Sequence, residues 1–339
     1  MIIKDIKLNN FRCHTQYLLE FKEQTTQILG ENGSGKTSVL EAIYLAVRGK
    51  SFKAVDKEII KRGTDFYRVG LAFLDGERTV VTYDAAASRK AFLVGDKKWA
   101  RLPKKNRYPV VLFEPSDLSL ITTSPTRRRD YFDRFLAQLS DGYSNSLSRY
   151  NKALKQRNEL LKQEFVSPES LFSWDVMLAQ YGVLIRKARE DLVSALNDRL
   201  TGVYRGIAEN RDEVLLSYDS YTGGAEESEY LRLLSMDFSR DLLTGHTNFG
   251  VHKDDYVFLF NGANADGTAS RGETRSIVLA LKFIEADMIL AAVGKAPVVL
   301  LDDVFSELDE TRQKALVYNF KKNQVIITSV NAVEDIETS

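Results

Sequence analysis

The sequence predicts an α/β fold in which two strand-rich segments, one toward each end of the chain, are separated by a long helical insertion. Three observations carry this reading. The octet Gly30-Glu31-Asn32-Gly33-Ser34-Gly35-Lys36-Thr37 stands between a short apolar-alternating stretch, Thr25 to Leu29, and a run of helical period beginning at Ser38. Apolar residues recur at steps of three and four from Phe132 to Leu154 and again from Leu178 to Val203. The apolar run Pro297 to Leu301 ends in the carboxylate pair Asp302-Asp303.

Composition limits the alternatives. A chain of 339 residues is long enough for two domains, and 44% hydrophobic residues are enough to fold them. Lys plus Arg and Asp plus Glu both number 47, so any polyanion must be met by local patches rather than by global charge. The single cysteine, Cys13, excludes an intramolecular disulfide and a C-x-x-C metal site and fits a reducing, cytoplasmic location. The opening Met1-Ile2-Ile3-Lys4-Asp5 lacks the cationic segment and apolar stretch of a secretion signal. The apolar run Ile277 to Val293 is interrupted by Lys282, Glu285 and Asp287, which argues against a membrane span.

In chain order, alternation from Ile2 to Leu8, near Phe21, and from Val69 to Phe92 predicts strands, with turns at Gly76 and Asp84. One amphipathic helix is expected from about Thr126 to Gln163, with Phe132, Phe135, Leu136, Leu139, Tyr143, Leu147, Tyr150 and Leu154 on its apolar face. A second helix follows the break at Ser167-Pro168. Each would run about 50 Å at 1.5 Å per residue, and the two are expected to pair antiparallel. Tyr256 to Phe260 is apolar on both faces, as in a fully buried strand. These expectations give a split nucleotide domain over 1–112 plus 243–339 and an inserted helical lobe over 113–242.

The octet is a G-x-x-x-x-G-K-T phosphate-binding loop. Its glycines permit turns closed to other residues, so the N–H groups from Gly30 to Ser38 converge on a phosphate at a helix N-terminus. Lys36 would bridge the β- and γ-phosphates of ATP, and Thr37 would offer its hydroxyl to Mg²⁺. Asp302, ending an apolar strand, would hold the Mg²⁺ shell, and Asp303 would orient or deprotonate the attacking water. Ser270-Arg271-Gly272-Glu273 opens a further helix, another place where a hydroxyl and N–H groups can meet a γ-phosphate.

The order of these parts, with Ser306-Glu307-Leu308-Asp309 following the carboxylates, resembles the ABC-type ATPases of the SMC and recombination branch. More narrowly, nearly the whole chain resembles the RecF family of bacterial recombinational-repair ATPases. The residues that carry the resemblance are Leu8 to Arg12, Gly30 to Thr37 with Leu40-Glu41-Ala42, Phe113 to Leu118, Ser124-Pro125 with Arg127 to Arg129, Gly250 to Asp255, and Leu300 to Asp309. The chain departs from the family pattern at Val251, Lys253 and Glu273.

The resemblance implies an ABC-type P-loop ATPase head with an inserted, mainly helical second lobe. It implies slow ATP hydrolysis acting as a switch. It also implies a homodimer in which Ser270, Gly272 and Glu273 of one copy cap the nucleotide held by the other, with Arg12 reaching phosphate. Thr328 falls near the switch-histidine position of transport relatives. DNA would be the macromolecular partner, as a duplex or a junction, with RecO- and RecR-like proteins and, indirectly, RecA. Basic clusters at Lys104-Lys105-Arg107, Arg127 to Arg129, and Arg149, Lys152, Lys155 and Arg157 are the candidate DNA contacts, although the second also suits a structural role at a junction. The competing classes are a transporter ATPase, a nuclease-associated ATPase and a small-molecule kinase. The opening Asn10-Phe11-Arg12 and the long helix pair speak against the transporter, the Ser270 turn against the kinase, and the lack of a metal-rich acidic stretch after Asp303 against the nuclease-associated ATPase. His252 is expected to organise the Asp254-Asp255 turn, and Cys13, Trp99 and Trp174 to pack.

Overall fold

The structure, a computed structural model, describes residues 2–332. Ile3–Phe11 (β1) reverses at Arg12-Cys13 into His14–Glu20 (β2), and Thr25–Leu29 (β3) leads through the glycine loop into Lys36–Arg48 (α1). After Asp56–Ile59 (α2), the strands Phe66–Phe73 (β4), Arg78–Asp84 (β5), Arg89–Val94 (β6) and Lys97–Trp99 (β7) follow as hairpins, then Val110–Phe113 (β8). The turn expected at Gly76 is present, whereas Asp84 is the last paired residue of β5 and the turn covers 85–88. The strand expected near Phe21 ends one residue earlier, at Glu20.

The helical segment is built differently from its sequence expectation. Pro125–Leu139 (α3) and Asp141–Leu160 (α4) are two helices, not one. Ser140 between them is extended, with φ −141°, and its Oγ accepts from Tyr143 N at 3.2 Å as the cap of α4. A serine followed by Asp141-Gly142 favours a local side-chain bond over continued helix, and this outweighs the apolar periodicity running across it. Pro168–Ala208 (α5) is 41 residues, roughly 60 Å at 1.5 Å per residue, twice the length of α4. The pairs Arg157–Asp175, Arg149–Tyr181 and Tyr143–Arg189 show that α4 and α5 run antiparallel.

Val214–Asp219 (β9), Glu227–Met236 (α6), Phe238–Thr244 (α7), Asp255–Phe260 (β10), Ala263–Asn264 (β11) and Ala265–Thr268 (α8) come next. Only Tyr256, Phe258 and Phe260 of β10 are buried. Val257 and Leu259 are partly exposed, because β9, β10 and β11 form a three-stranded antiparallel sheet covered on one face. Arg271–Val293 (α9), Val298–Asp302 (β12), Glu310–Asn319 (α10) and Val325–Ser329 (β13) complete the described chain.

The described residues divide into 2–118 with 285–332, and Ser119–Ile284. The second boundary therefore lies some forty residues beyond the expected 242/243 position. The cause is that β9 to β11 pair with one another and β9 packs on α5, so the segment read as returning to the nucleotide domain belongs with the helices.

In the first unit, a six-stranded antiparallel sheet of order β2-β1-β4-β5-β6-β7 and a four-stranded parallel sheet of order β3-β13-β12-β8 enclose α1. Val39, Leu40, Ile43 and Val47 of that helix are buried against both, each stabilising by about 1.5 to 3 kcal/mol. The packing of α1 fixes the loop that precedes it.

Candidate functional site

The glycine loop turns where the sequence permits it. Gly33 and Gly35 have φ of 84° and 97°, and a Cβ at Gly35 would lie 2.3 Å from Cys13 Sγ. Only glycine fits there, so the β1–β2 turn packs directly against the start of α1. Lys36 donates its ammonium to Gly30 O at 2.7 Å and Glu31 O at 3.1 Å, holding the side chain across the loop. A cleft of about 630 Å³ opens beside it, and Asn32, Lys36, Thr37, Ser38 and Asp303 lie in its wall. Arg12, Lys61 and Arg62 line it as well, so cations outnumber Glu58 and Asp303, as suits a polyphosphate.

The two motifs meet at one bond. Thr37 Oγ1 donates to Asp302 Oδ1 at 2.6 Å. Strands β12 and β13 pair in parallel with Asp302 beside Thr328, whose Oγ1 donates to the same Oδ1 at 3.0 Å. Thr328 Oγ1 also accepts from Asp303 N at 3.0 Å, so its buried hydroxyl positions both carboxylate-bearing residues. Asp303 takes φ 53°, a left-handed conformation rare outside glycine, which ends the strand and puts the residue in the cleft wall. The other Asp302 oxygen faces the ammonium of Lys53 at 3.4 Å.

The Thr37 hydroxyl and the Asp302 carboxylate meet at one point and are oxygen donors of the kind a hard divalent cation takes, with the Lys53 ammonium as its competitor. Thr37 and Asp302 would hold Mg²⁺, which supplies charge neutralisation on bound phosphates.

Arg12 lies at the cleft but its guanidinium is engaged. It binds Glu41 through Nε and Nη2, both at 2.8 Å, and Glu58 O through Nη1 at 2.9 Å. The bond to Glu41 raises the Arg12 pKa above its ordinary value. Glu41 is 1% exposed and also accepts from Ser51 Oγ at 2.5 Å, and Ser51 Oγ in turn accepts from Lys53 N and Ala54 N. Sequence reasoning missed Glu41 and Lys53 as site residues. The available signal was a charged residue inside the buried stripe Leu40-Glu41-Ala42-Ile43, which requires a partner.

In the second unit, the Ser270 turn is a reciprocal cap. Ser270 N donates to Glu273 Oε2 at 2.6 Å and Glu273 N to Ser270 Oγ at 3.3 Å, a capping box at the start of α9. Gly272 lies in the first turn of that helix. In the first unit, Asp309 similarly caps α10, accepting from Arg312 N at 3.0 Å.

The basic clusters separate by structure. Arg128 binds both oxygens of Asp255 and the carbonyls of Ile121 and Thr123, and Arg129 binds Asp254 O. Arg157 is 0% exposed, paired with Asp175 and Asp241 at 2.6 Å each, and so is a structural residue rather than a nucleic-acid contact. Lys104, Lys105, Lys152 and Lys155 are exposed.

Asp254, rather than His252, organises the turn. It accepts from Arg189 Nη1 at 2.8 Å, from the Tyr218 hydroxyl and from Tyr221 N. His252 sits between Tyr150 OH at 2.8 Å and Thr247 O at 3.0 Å, and burial pushes its pKa down to about 4.

Among the described residues no helix is long and apolar enough to cross a membrane. Residues 1–169 match the family described as AAA ATPase domain. The chain is 33% identical over 344 residues to the DNA replication and repair protein RecF of Lachnoclostridium phytofermentans, covering 98% of this chain and 94% of the relative. It is 34% identical over 354 residues to that of Agathobacter rectalis, covering 99% and 94%. A solved structure of the recombination mediator protein RecF-ATP in the RecFOR pathway matches with a TM-score of 0.87 at 29% identity, over 99% of this chain and 93% of that one. Similarity of this extent, on an ABC-type ATPase fold whose phosphate loop and strand-end carboxylate are joined by a hydrogen bond, shows that the chain belongs to the RecF family of DNA replication and repair proteins.

Proposed function

We propose that this chain is an ATP-gated DNA-binding switch of recombinational repair and replication-fork maintenance. It works in the cytoplasm and helps RecA loading at single-strand gaps through RecO- and RecR-like partners. The bond between Thr37 and Asp302 carries the reading, because it brings the hydroxyl and carboxylate of a metal-nucleotide site to the mouth of the phosphate loop.

The loop N–H groups and Lys36 bind the phosphates, and Thr37 and Asp302 fix the position of Mg²⁺. Asp303 takes the proton of the attacking water. Its aspartate side chain is shorter than a glutamate, which leaves it further from that water and makes turnover slow. Each chain has one phosphate loop and one Ser270 turn. Two copies therefore close on two nucleotides, each capped by the partner's turn, and open after hydrolysis. Support for the reading comes from the family membership and from the names of the relatives, DNA replication and repair proteins and a recombination mediator with ATP.

The test is retention of duplex DNA at low salt with ATP and Mg²⁺ by the native chain, Lys36→Ala and Asp303→Asn. The native chain is expected to hold DNA and then release it as ATP is consumed. Lys36→Ala should hold none, and Asp303→Asn should hold it persistently. Equal retention by all three with and without ATP contradicts the switch.

A further inference from the structure

Gly70 interrupts β4 at a position where the backbone does not call for glycine. Its φ lies outside the left-handed region, and a Cβ built there would meet nothing closer than Lys7 Cβ at 3.9 Å, an ordinary contact. Glycine inside a strand gives up packing and adds freedom to the unfolded chain, and it often marks a close approach by another molecule. Here the missing side chain leaves a hollow of about 300 Å³ on the face of the six-stranded sheet turned away from α1.

Three cations surround it. Lys7 lies opposite Gly70 on β1, Arg68 lies two residues along β4, and Arg78 lies on β5 opposite Ala72. Side chains alternate between faces, so these residues share the open face, while Ile6, Leu8, Val69 and Leu71 enter the core. Among the described residues, none of the three cationic side chains makes an ion pair or a hydrogen bond. Asp5 is the one carboxylate lining the hollow. Lys7 and Arg68 are diagonal neighbours, roughly 7 to 8 Å apart. Arg78 is four residues from Thr82, the partner of Arg68, about 13 Å along the sheet. One strand of duplex DNA carries about four phosphates over such a length.

We infer that this open face, centred on Gly70, is a docking surface for the phosphate backbone of duplex DNA, held by Lys7, Arg68 and Arg78. The inference rests on the DNA-binding reading above and adds to it the surface used. No aromatic ring lines the hollow, whereas single-strand platforms depend on stacking, so the surface fits a backbone rather than splayed bases. The glycine lets that backbone approach the sheet without a side chain in the way.

The experiment measures affinity for duplex and, in a parallel arm, for single-stranded DNA across a salt series, using the full chain with ATP and Mg²⁺, with ATP affinity as the check on folding. The triple variant Lys7→Ala, Arg68→Ala, Arg78→Ala should bind at least about tenfold more weakly, with the slope of log affinity against log salt shallower by about 2 to 3. Gly70→Ala, whose single methyl group sits in ordinary contact with Lys7 and leaves the hollow open, should bind as the native chain does. Gly70→Glu, which sets a carboxylate among the three cations, should weaken binding as the triple variant does. Unchanged affinity and slope in both the triple variant and Gly70→Glu, alongside a native chain that holds duplex, overturn the surface alone. A native chain that holds no duplex with ATP at low salt overturns the DNA-binding reading and the surface with it. A loss confined to single-stranded DNA overturns the duplex assignment.

Discussion

Thr37 Oγ1 and Asp302 Oδ1, 265 residues apart in sequence, lie 2.6 Å apart in the structure. Their bond links the first turn of α1 to the end of β12, and Thr328 Oγ1 holds the same carboxylate oxygen from β13. Thr37→Val and Asp302→Asn each remove an oxygen suited to a divalent cation. Electron paramagnetic resonance of Mn²⁺ with ATP should show at least about tenfold weaker metal binding in either variant, since each would remove one of the few protein oxygens proposed to hold the ion. ATP binding without metal should change little.

Lys53 places a positive charge 3.4 Å from the second Asp302 oxygen. A divalent cation arriving at Asp302 must displace that ammonium or share the carboxylate with it. Lys53 is 39% exposed, so solvent screens the pair and the effect is modest. In Lys53→Met, Mn²⁺ should bind about two- to fivefold more tightly, and Lys53→Arg should retain the native affinity. Weaker Mn²⁺ binding in Lys53→Met would show that the ammonium assists the metal instead.

Arg157 holds two carboxylates in the interior of the second unit. Arg157→Met strands Asp175 and Asp241, and chemical denaturation should show a loss of about 3 to 5 kcal/mol. Lys155→Ala, on the exposed side of the same helix, should stay within about 0.5 kcal/mol of the native chain.

The bonds Val251 N to Tyr230, Tyr230 to Tyr150, Tyr150 to His252 Nδ1 and His252 Nε2 to Thr247 O run in one direction only when His252 is neutral. Burial lowers its pKa from 6.5 to about 4, so the unfolded chain takes up the proton first as pH falls. The associated stability is fully present above pH 6.5 and is lost as pH falls from there toward 4, on the order of 3 kcal/mol in total. Denaturation midpoints of His252→Gln should fall less steeply over that window than those of the native chain.

The parts of the site that are contiguous in sequence were legible in it. A phosphate loop needs its glycines, lysine and threonine at fixed spacing, and a strand-end carboxylate announces itself by the apolar run before it. Glu41 and Lys53 were harder to read, because their partners lie on other elements and neither belongs to a spaced motif. Arg157 looked like part of a basic helix face, since periodicity places residues on a face but does not show that Asp175 and Asp241 meet it there. The break at Ser140 was hidden by apolar periodicity on both sides, although Ser140-Asp141-Gly142 carries the turn chemistry. For β10, alternating Tyr, Val, Phe and Leu read as buried on both faces. The three-stranded sheet is covered on one face only, and coverage is a property of the fold.

The composite two-copy site is tested most directly by ATP-dependent association, measured as mass in solution by sedimentation with and without ATP and Mg²⁺. The native chain should pass from one copy to two when ATP is added, and Lys36→Ala should stay single because it binds nucleotide poorly. Ser270→Arg should bind ATP yet remain single, while Ser270→Thr, which keeps a capping hydroxyl, should associate as the native chain does. Identical masses for all four proteins, with ATP and without it, would contradict the composite two-copy site.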